Sequence, residues 1–302
     1  MPTRLPQTPN PGQMFLDHVG WFVPDMDVAA RAFEKLGFNL TPYSVHGDRD
    51  AATGELKPLG TANRLVMLEE AYLEILTLHG GVTNPSVERM KASMARHVGV
   101  HLIAMTVADS LAEAKRLEKD GFALFPPINL RRQIEAQDGS KVEVAFTVVR
   151  PQEGVHPEGR IQVLTQHTPE HMWQPRYVKN DNAITGLRGV MLVVDDPAEA
   201  TARLSRFTGR TAQARPGHQL IKLDRGHLRI FKAPEASAYL GGLKVPAAPA
   251  IPALGFVSRD LEHTRAFFKA RGVKLVEDTP TRLIVDASDG MGAYLIVSAG
   301  GQ

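Results

Sequence analysis

The sequence predicts an α+β protein made by repetition. Four apolar runs each pass through an Asp into an amphipathic stretch that ends at a Gly, and strand-like segments follow each one. The runs are "FLDHVGWFVPDMDVAARAFEKLGF" (15–38), "HLIAMTVADSLAEAKRLEKDGF" (101–122), "VMLVVDDPAEATARLSRFTGR" (190–210) and "LGFVSRDLEHTRAFFKARGV" (254–273).

Each element has a chemical reason. Asp25, Asp109, Asp196 and Asp260 stand where a carboxylate can accept from the free N–H groups of a first helical turn, and Gly37, Gly121, Gly209 and Gly272 stand where a helix ends in the left-handed region. Helical spacing places Val28, Ala32, Phe33 and Leu36 on one face, and Ala200, Leu204 and Phe207 on another; such faces must cover a sheet. The units close with "AYLEILTL" (71–78), "RIQVLTQ" (160–166), "HLRIF" (227–231) and "AYLIVSA" (293–299). "NLRRQIEAQDGSKVEVAFTVVR" (129–150) reads as a hairpin turning at Asp-Gly. The polar linker 174–186 and the Pro-, Ala- and Gly-rich linker 232–252 divide the chain, which gives two paired halves at 14–173 and 187–299.

Composition excludes several classes. The 302 residues are 43% apolar and 23% charged, enough for one large or two medium cores. Net charge is +2, from 35 basic and 33 acidic residues dispersed along the chain, so nucleic acid is not an expected partner. No apolar run reaches the roughly 18–20 residues that span a bilayer, and the opening "MPTRLPQTPNPGQ" is polar, so neither a membrane span nor a signal peptide is expected and the location is read as cytoplasmic. Cysteine is absent, which removes disulfides, thiolate nucleophiles and sulfur-ligated metals together.

With the repeat, "LDHVGWFVPDMDVAARAFEKLGF" and "GTANRLVMLEEAYLEIL" (60–76) resemble the vicinal oxygen chelate superfamily, which includes glyoxalase I and the extradiol dioxygenases, and its glyoxalase-like branch in particular. The resemblance implies four βαβββ modules paired into two cup-like, curved-sheet halves, with one divalent metal ion (Fe, Mn, Zn, Ni or Co) held in a cup. It carries metal-ligand positions onto His18, Glu74, His101 and Gln162. A histidine-carboxylate set with open positions suits such an ion and leaves room for two substrate oxygens. His18 stands five residues before Val23 while His101 stands six before the matching Val107, so a bulge is needed if both are to face one way. A glutamine at 162 cannot serve as a second carboxylate base. In the later modules these positions fall on Gly189, Arg229, Ala253 and Ile296, so the second half reads as structural or substrate-shaping.

Other polar residues stand near the expected cup. Asn63 and Arg64 of "GTANR" are substrate-binding candidates, with Arg64 either a carboxylate clamp or a solvated turn residue. Arg131 and Arg132 are candidates of which strand alternation admits only one to the cup. His167 is a candidate acid or base; in "QHTPEHMW" (166–173) it stands four residues from His171 without matching H-E-x-x-H, and Thr168-Pro169 beside it reads first as a helix start. His46 reads as a solvated residue of a polar loop over the cup. The expected function is a metal-dependent isomerase or lyase acting on a small oxygen-rich substrate through an enediolate or enolate, with Glu74 and His167 catalytic. The alternatives are an Fe(II) extradiol-type dioxygenase and a metal-free binding or resistance protein. The expected partner is a small-molecule substrate, and the sequence leaves a homodimer open.

Overall fold

The computed structural model describes residues 7–49 and 56–300; the first six residues of the polar opening stretch lie outside them. The first module runs β1 (Met14–Phe22), α1 (Met26–Lys35), β2 (Ser44–Arg49), β3 (Leu56–Met67) and β4 (Tyr72–Leu78). A linking helix α2 (Pro85–Arg96) leads to β5 (Gly99–Val107), α3 (Ser110–Lys119), β6 (Ile128–Glu135), β7 (Lys141–Val149) and β8 (Arg160–Gln166). Short helices α4 (Pro169–Met172) and α5 (Pro175–Val178) precede β9 (Ile184–Val193), α6 (Pro197–Thr208), β10 (Ala212–Arg215), β11 (His218–Lys222) and β12 (His227–Phe231). Helix α7 (Ala233–Tyr239) then links to β13 (Ala250–Ser258), α8 (Leu261–Ala270), β14 (Leu275–Asp278), β15 (Arg282–Val285) and β16 (Tyr294–Ala299).

The strands form two curled eight-stranded sheets, β2-β3-β4-β1-β5-β8-β7-β6 and β10-β11-β12-β9-β13-β16-β15-β14. In each, the first and last strands of a module pair in parallel, and two modules join antiparallel, through β1–β5 or β9–β13. Four repeats thus close into two cups, the α+β architecture that the repeats predict.

The Asp caps form as their position requires. Asp25 accepts from the N–H groups of Asp27 and Val28, Asp109 from Leu111 and Ala112, Asp196 from Ala198 and Glu199, and Asp260 from His263. Gly209 ends α6 at φ 64°, where a Cβ would be strained. The buried face of α1 is Met26, Ala29, Ala30 and Phe33, continued by Leu36, while Val28 is 45% exposed. The expected face is therefore rotated: the cap at Asp25 fixes the helix start so that Val28 points to solvent.

The main core lies on the helix-bearing sides of both sheets and is continuous between the halves, with Trp21, Phe33, Phe207, Phe256 and Phe268 fully buried. Trp21 Nε1 donates to Met291 O at 3.1 Å, and the buried Arg203 donates to Glu158 Oε1 at 2.7 Å and His156 Nδ1 at 2.7 Å, so polar groups are satisfied across the seam. The opposite faces line the cups. In the first, Phe22, Leu76, Leu102, Ala104 and Leu164 pack beneath Met90 of α2, and Tyr72, Met67 and Val144 pack beneath Met172 and Trp173. Among the described residues no helix is long and apolar enough to cross a membrane.

Candidate functional site

Two β-bulges decide which side chains enter the first cup. The β1–β5 register steps between Leu16 and His18 and again between Gly20 and Trp21, so Asp17 on β1 and His101 on β5 are the extra residues. Leu16 and Val19 both serve the main core, and the inserted Asp17 brings His18 onto the cup face. His101 is therefore the counterpart of Asp17, and Leu102, which packs in the cup with Phe22 and Ala104, is the counterpart of His18.

His18 is buried, with 4% of its surface exposed. Its Nδ1 donates to Asp17 Oδ1 at 2.6 Å, because a carboxylate can only accept, and this turns Nε2 toward the cup. The ring stacks on Tyr72, centroid to centroid 4.4 Å. Asp17, fully buried, also accepts from Gln166 Nε2 at 3.3 Å. Across the sheet, Glu74 Oε2 stands 3.9 Å from His18 Nε2, and Glu74 Oε1 accepts from the buried Asn63 amide at 2.7 Å. One nitrogen of the imidazole and one oxygen of the carboxylate are thus held from behind, and the other two atoms face each other. Burial opposes ionisation of Glu74, but the imidazoles of His18 and His46, the Asn63 amide and Arg132 outweigh it and hold its carboxyl below the usual range. Burial, with the Asp17 and Glu74 carboxylates, pushes the Tyr72 phenol up, so it stays protonated.

His46 belongs to this network. It lies on β2 rather than in a solvated loop, its Nδ1 is 2.9 Å from Thr61 Oγ1, and its side chain bonds that of Asn63, which also holds Glu74. Burial first, and then Arg132 and Arg160, lower its pKa against the pull of Glu74, which favours the neutral imidazole. Of the hairpin arginines, Arg132 turns inward, with its guanidinium 6.0 Å from the Phe146 ring and its buried Nε without a hydrogen-bond partner. Arg131 points out to Glu143 at 2.8 Å.

The remaining expected site residues divide sharply. Gln162 pairs with Ala104, which itself pairs with His18, so the imidazole and the amide share a row with only a small side chain between them. His101 is not brought to the site: its Nε2 is 2.8 Å from His97 O, and its ring lies against Phe22 and His97. Burial, mainly, lowers its pKa to about 4, so it is neutral. Arg64 is also placed elsewhere, with Nε donating to Thr41 O at 2.8 Å and a guanidinium nitrogen 4.0 Å from Glu34. His167 is exposed on the helix side, with Nε2 2.8 Å from Thr147 Oγ1, because the inward position at the end of β8 belongs to Gln166. The sequence reading missed Asp17, Tyr72 and Gln166; an Asp next to a His within an apolar strand is the signal that would have found the first.

Whether these residues suit a divalent ion is a matter of donor geometry. A separation of 3.9 Å between His18 Nε2 and Glu74 Oε2 is inside the span of about 4.2 Å that two bonds of about 2.1 Å allow. The carboxylate behind His18 is the usual support of a metal-binding imidazole. Among the described residues no third His, Asp or Glu closes a cluster around this pair. The fit is to His18 and Glu74 with a neutral oxygen donor, and not to a set that includes His101.

The model of a glyoxalase-like domain matches residues 16–208. No curated protein matches the sequence. A hypothetical protein from Staphylococcus aureus has a similar structure (TM-score 0.65, 10% identity, 95% of this chain and 99% of that one). A mutant of 4-hydroxymandelate synthase from Streptomyces coelicolor is similar over 96% of this chain and 94% of its own (TM-score 0.56, 12% identity). A fusion of a xylose isomerase-like TIM barrel with 4-hydroxyphenylpyruvate dioxygenase is similar over 100% of this chain (TM-score 0.58, 14% identity). The chain spans 52% of that fusion's length. At these identities the likeness shows the fold.

Proposed function

Since this chain belongs to the glyoxalase-like domain family, within the vicinal oxygen chelate superfamily, we propose that its first cup is a metal-assisted proton-transfer site for a small oxygen-rich substrate. The observation that carries this reading is the His18–Glu74 pair, 3.9 Å apart and held from behind by Asp17 and Asn63. His18 Nε2 and Glu74 Oε2 would hold the ion, with the Gln162 amide oxygen as the neutral donor from the facing strand. When bound, the ion supplies Lewis-acid stabilisation of negative charge developing on a substrate oxygen.

The chain supplies the rest. Asp17 fixes the His18 ring, and Tyr72 stacks on it, so that Nε2 keeps one direction. Neutral His46 is the residue suited to take a proton from a carbon next to a carbonyl, because its lowered pKa leaves it unprotonated at neutral pH. Asn63 links it to Glu74 and steadies both. Arg132, with its unpartnered Nε at the cup, balances negative charge on the substrate. Leu102, Ala104, Phe22 and Leu164 make the floor apolar, which excludes water from a reactive carbanion-like species. This assigns isomerase or lyase chemistry.

A second reading is oxygen activation at Fe(II), favoured by a histidine-carboxylate pair that suits iron as well as zinc or nickel. Elemental analysis of the full chain purified without chelators tests both. One divalent ion per chain is expected in the native protein and in His101→Ala, with loss in His18→Ala and in Glu74→Gln. Oxygen uptake with the iron form separates the two chemistries. Retention of metal in His18→Ala, or no metal binding by the native chain, overturns the proposal.

A further inference from the structure

Beside the site, beneath α2, lies a cavity of about 620 Å³ that the proton-transfer reading does not use. Four arginines line it: Arg89 and Arg96 from α2, Arg150 from the end of β7, and Arg160 from the start of β8. The carboxylate in the lining is Glu153, which Arg89 Nη1 engages at 2.5 Å. Arg96 donates to Pro157 O at 3.3 Å, a neutral partner. Among the described residues Arg150 and Arg160 form no ion pair with any carboxylate. His101 and His156 also line the cavity and are neutral, with pKa values lowered by burial to about 4 and about 3. Glu153 and, from the neighbouring site, Glu74 attract Arg160 without pairing with it, so the lining sets four guanidinium groups against the single carboxylate of Glu153 in a partly enclosed space.

That arrangement is costly unless something anionic fills it, because like charges repel most strongly where water is scarce. The arginines feel one another: burial and then the neighbouring Arg89 lower Arg150. They also meet the first cup. Phe22, in the lining, is two residues along β1 from Gly20, which pairs with Glu74, and Arg160 is two residues before Gln162.

We propose that the arginine cavity is an oxyanion subsite that takes a multiply charged group, a phosphate or a pair of carboxylates, at one end of the substrate whose reacting end lies at His18 and Glu74. Guanidinium forks match both kinds of oxyanion, and a charge of about −2 would neutralise most of the lining. The link to the reacting end rests on the function proposed above; the anion site itself does not.

Calorimetric titration of the full chain with inorganic phosphate, citrate and acetate tests it. Phosphate or citrate is expected to bind with a submillimolar Kd and acetate at least tenfold more weakly; which of the first two binds identifies the source of the charge. Arg150→Gln and Arg160→Gln should each weaken binding at least tenfold, and Arg150→Lys, which keeps the charge but not the fork, should lose less. Circular dichroism checks that each variant is folded. Glu74→Gln, which should lose metal, should bind the anion as well as the native chain or better. No binding, equal binding of acetate, or unchanged binding in a folded double variant Arg150→Gln/Arg160→Gln overturns the subsite, whatever the metal analysis gives.

Discussion

The two cups share one strand plan and differ in what fills them. Where the first has His18 and Glu74, the second has Gly189 and Arg229, and where the first has Leu102 and Gln162 the second has Ala253 and Ile296. Gly189 leaves the space that His227 takes, since a Cβ there would come within 2.4 Å of His227 Nε2. The linking helices diverge in the same way. Helix α7 packs Ala236 against Phe231, Met191, Ala253 and Tyr294 and closes the second cup with apolar contacts, whereas α2 touches the first mainly through Met90 and leaves the arginine cavity. One half thus buries apolar surface at the position where the other keeps polar groups.

That comparison breaks most readily at its two centres. His18→Ala should reduce metal binding and any metal-dependent turnover by at least about 100-fold; it also removes the donor to the buried Asp17 carboxylate and the stack on Tyr72, so stability falls as well and metal content is the measurement that tells. Phe231→Ala removes a ring that is 1% exposed and packed against His218 and Tyr239, so it should cost about 3–5 kcal/mol in urea unfolding and leave metal content intact. If Phe231→Ala loses metal as His18→Ala does, the two cups are alike and the division between them fails.

A subtler probe is Gly189→Ala. The added methyl group meets the His227 ring, which cannot retreat freely because Arg229 holds its Nε2. Overpacking of this kind costs about 1–3 kcal/mol, measured by denaturant titration. At Gly20, two residues along β1 from His18, an added Cβ would come within 2.8 Å of Leu102 Cβ, so Gly20→Ala should also disturb the site beside Glu74.

These positions also show what the sequence could and could not reveal. The fold was legible because each module repeats its own punctuation, Asp25 to Gly37 and Asp196 to Gly209, and local capping chemistry does not depend on distant residues. His18 and Glu74 were legible because a charged or ionisable group in an apolar strand needs a partner. His101 was misleading for the same reason: it satisfies itself locally on His97 O, and the bulge that shifts it out of the His18 position is a property of β1–β5 pairing. His46 was hidden because only the pairing of β2 with β3 brings it to Asn63. Arg64 and His167 failed where alternation had to be counted from a strand end that sequence does not fix.

Acid should expose both halves together. His101, His156 and His227 are neutral in the fold, with pKa values near 4, 3 and 3, in each case chiefly through burial, against about 6.5 when unfolded. Between pH 6.5 and 4 the unfolded chain binds more protons than the folded one, so stability falls as pH falls through that window. The carboxylate of Glu74, held below its ordinary value of 4.5, adds its own loss from about pH 4.5 downward, at the lower end of that window. Urea midpoints measured from pH 7 to 4 should decline, and His227→Gln should flatten the decline; a midpoint independent of pH would show that these imidazoles are not buried neutral.

The smallest effect separates neighbours on one strand. Arg131 is exposed and pairs with Glu143 at the surface, so Arg131→Ala should change stability by no more than about 0–1 kcal/mol and leave ligand affinity alone. Arg132, one residue along, turns to the first cup, lies over Phe146 and carries a buried Nε without a partner. Arg132→Ala should weaken binding of an anionic substrate while also being close to neutral for stability, since no intramolecular hydrogen bond of that Nε is lost. Equal affinities for the two variants would mean that the inward face of β6 does not reach the substrate, and the charge balance assigned to the first cup would then rest on Arg160.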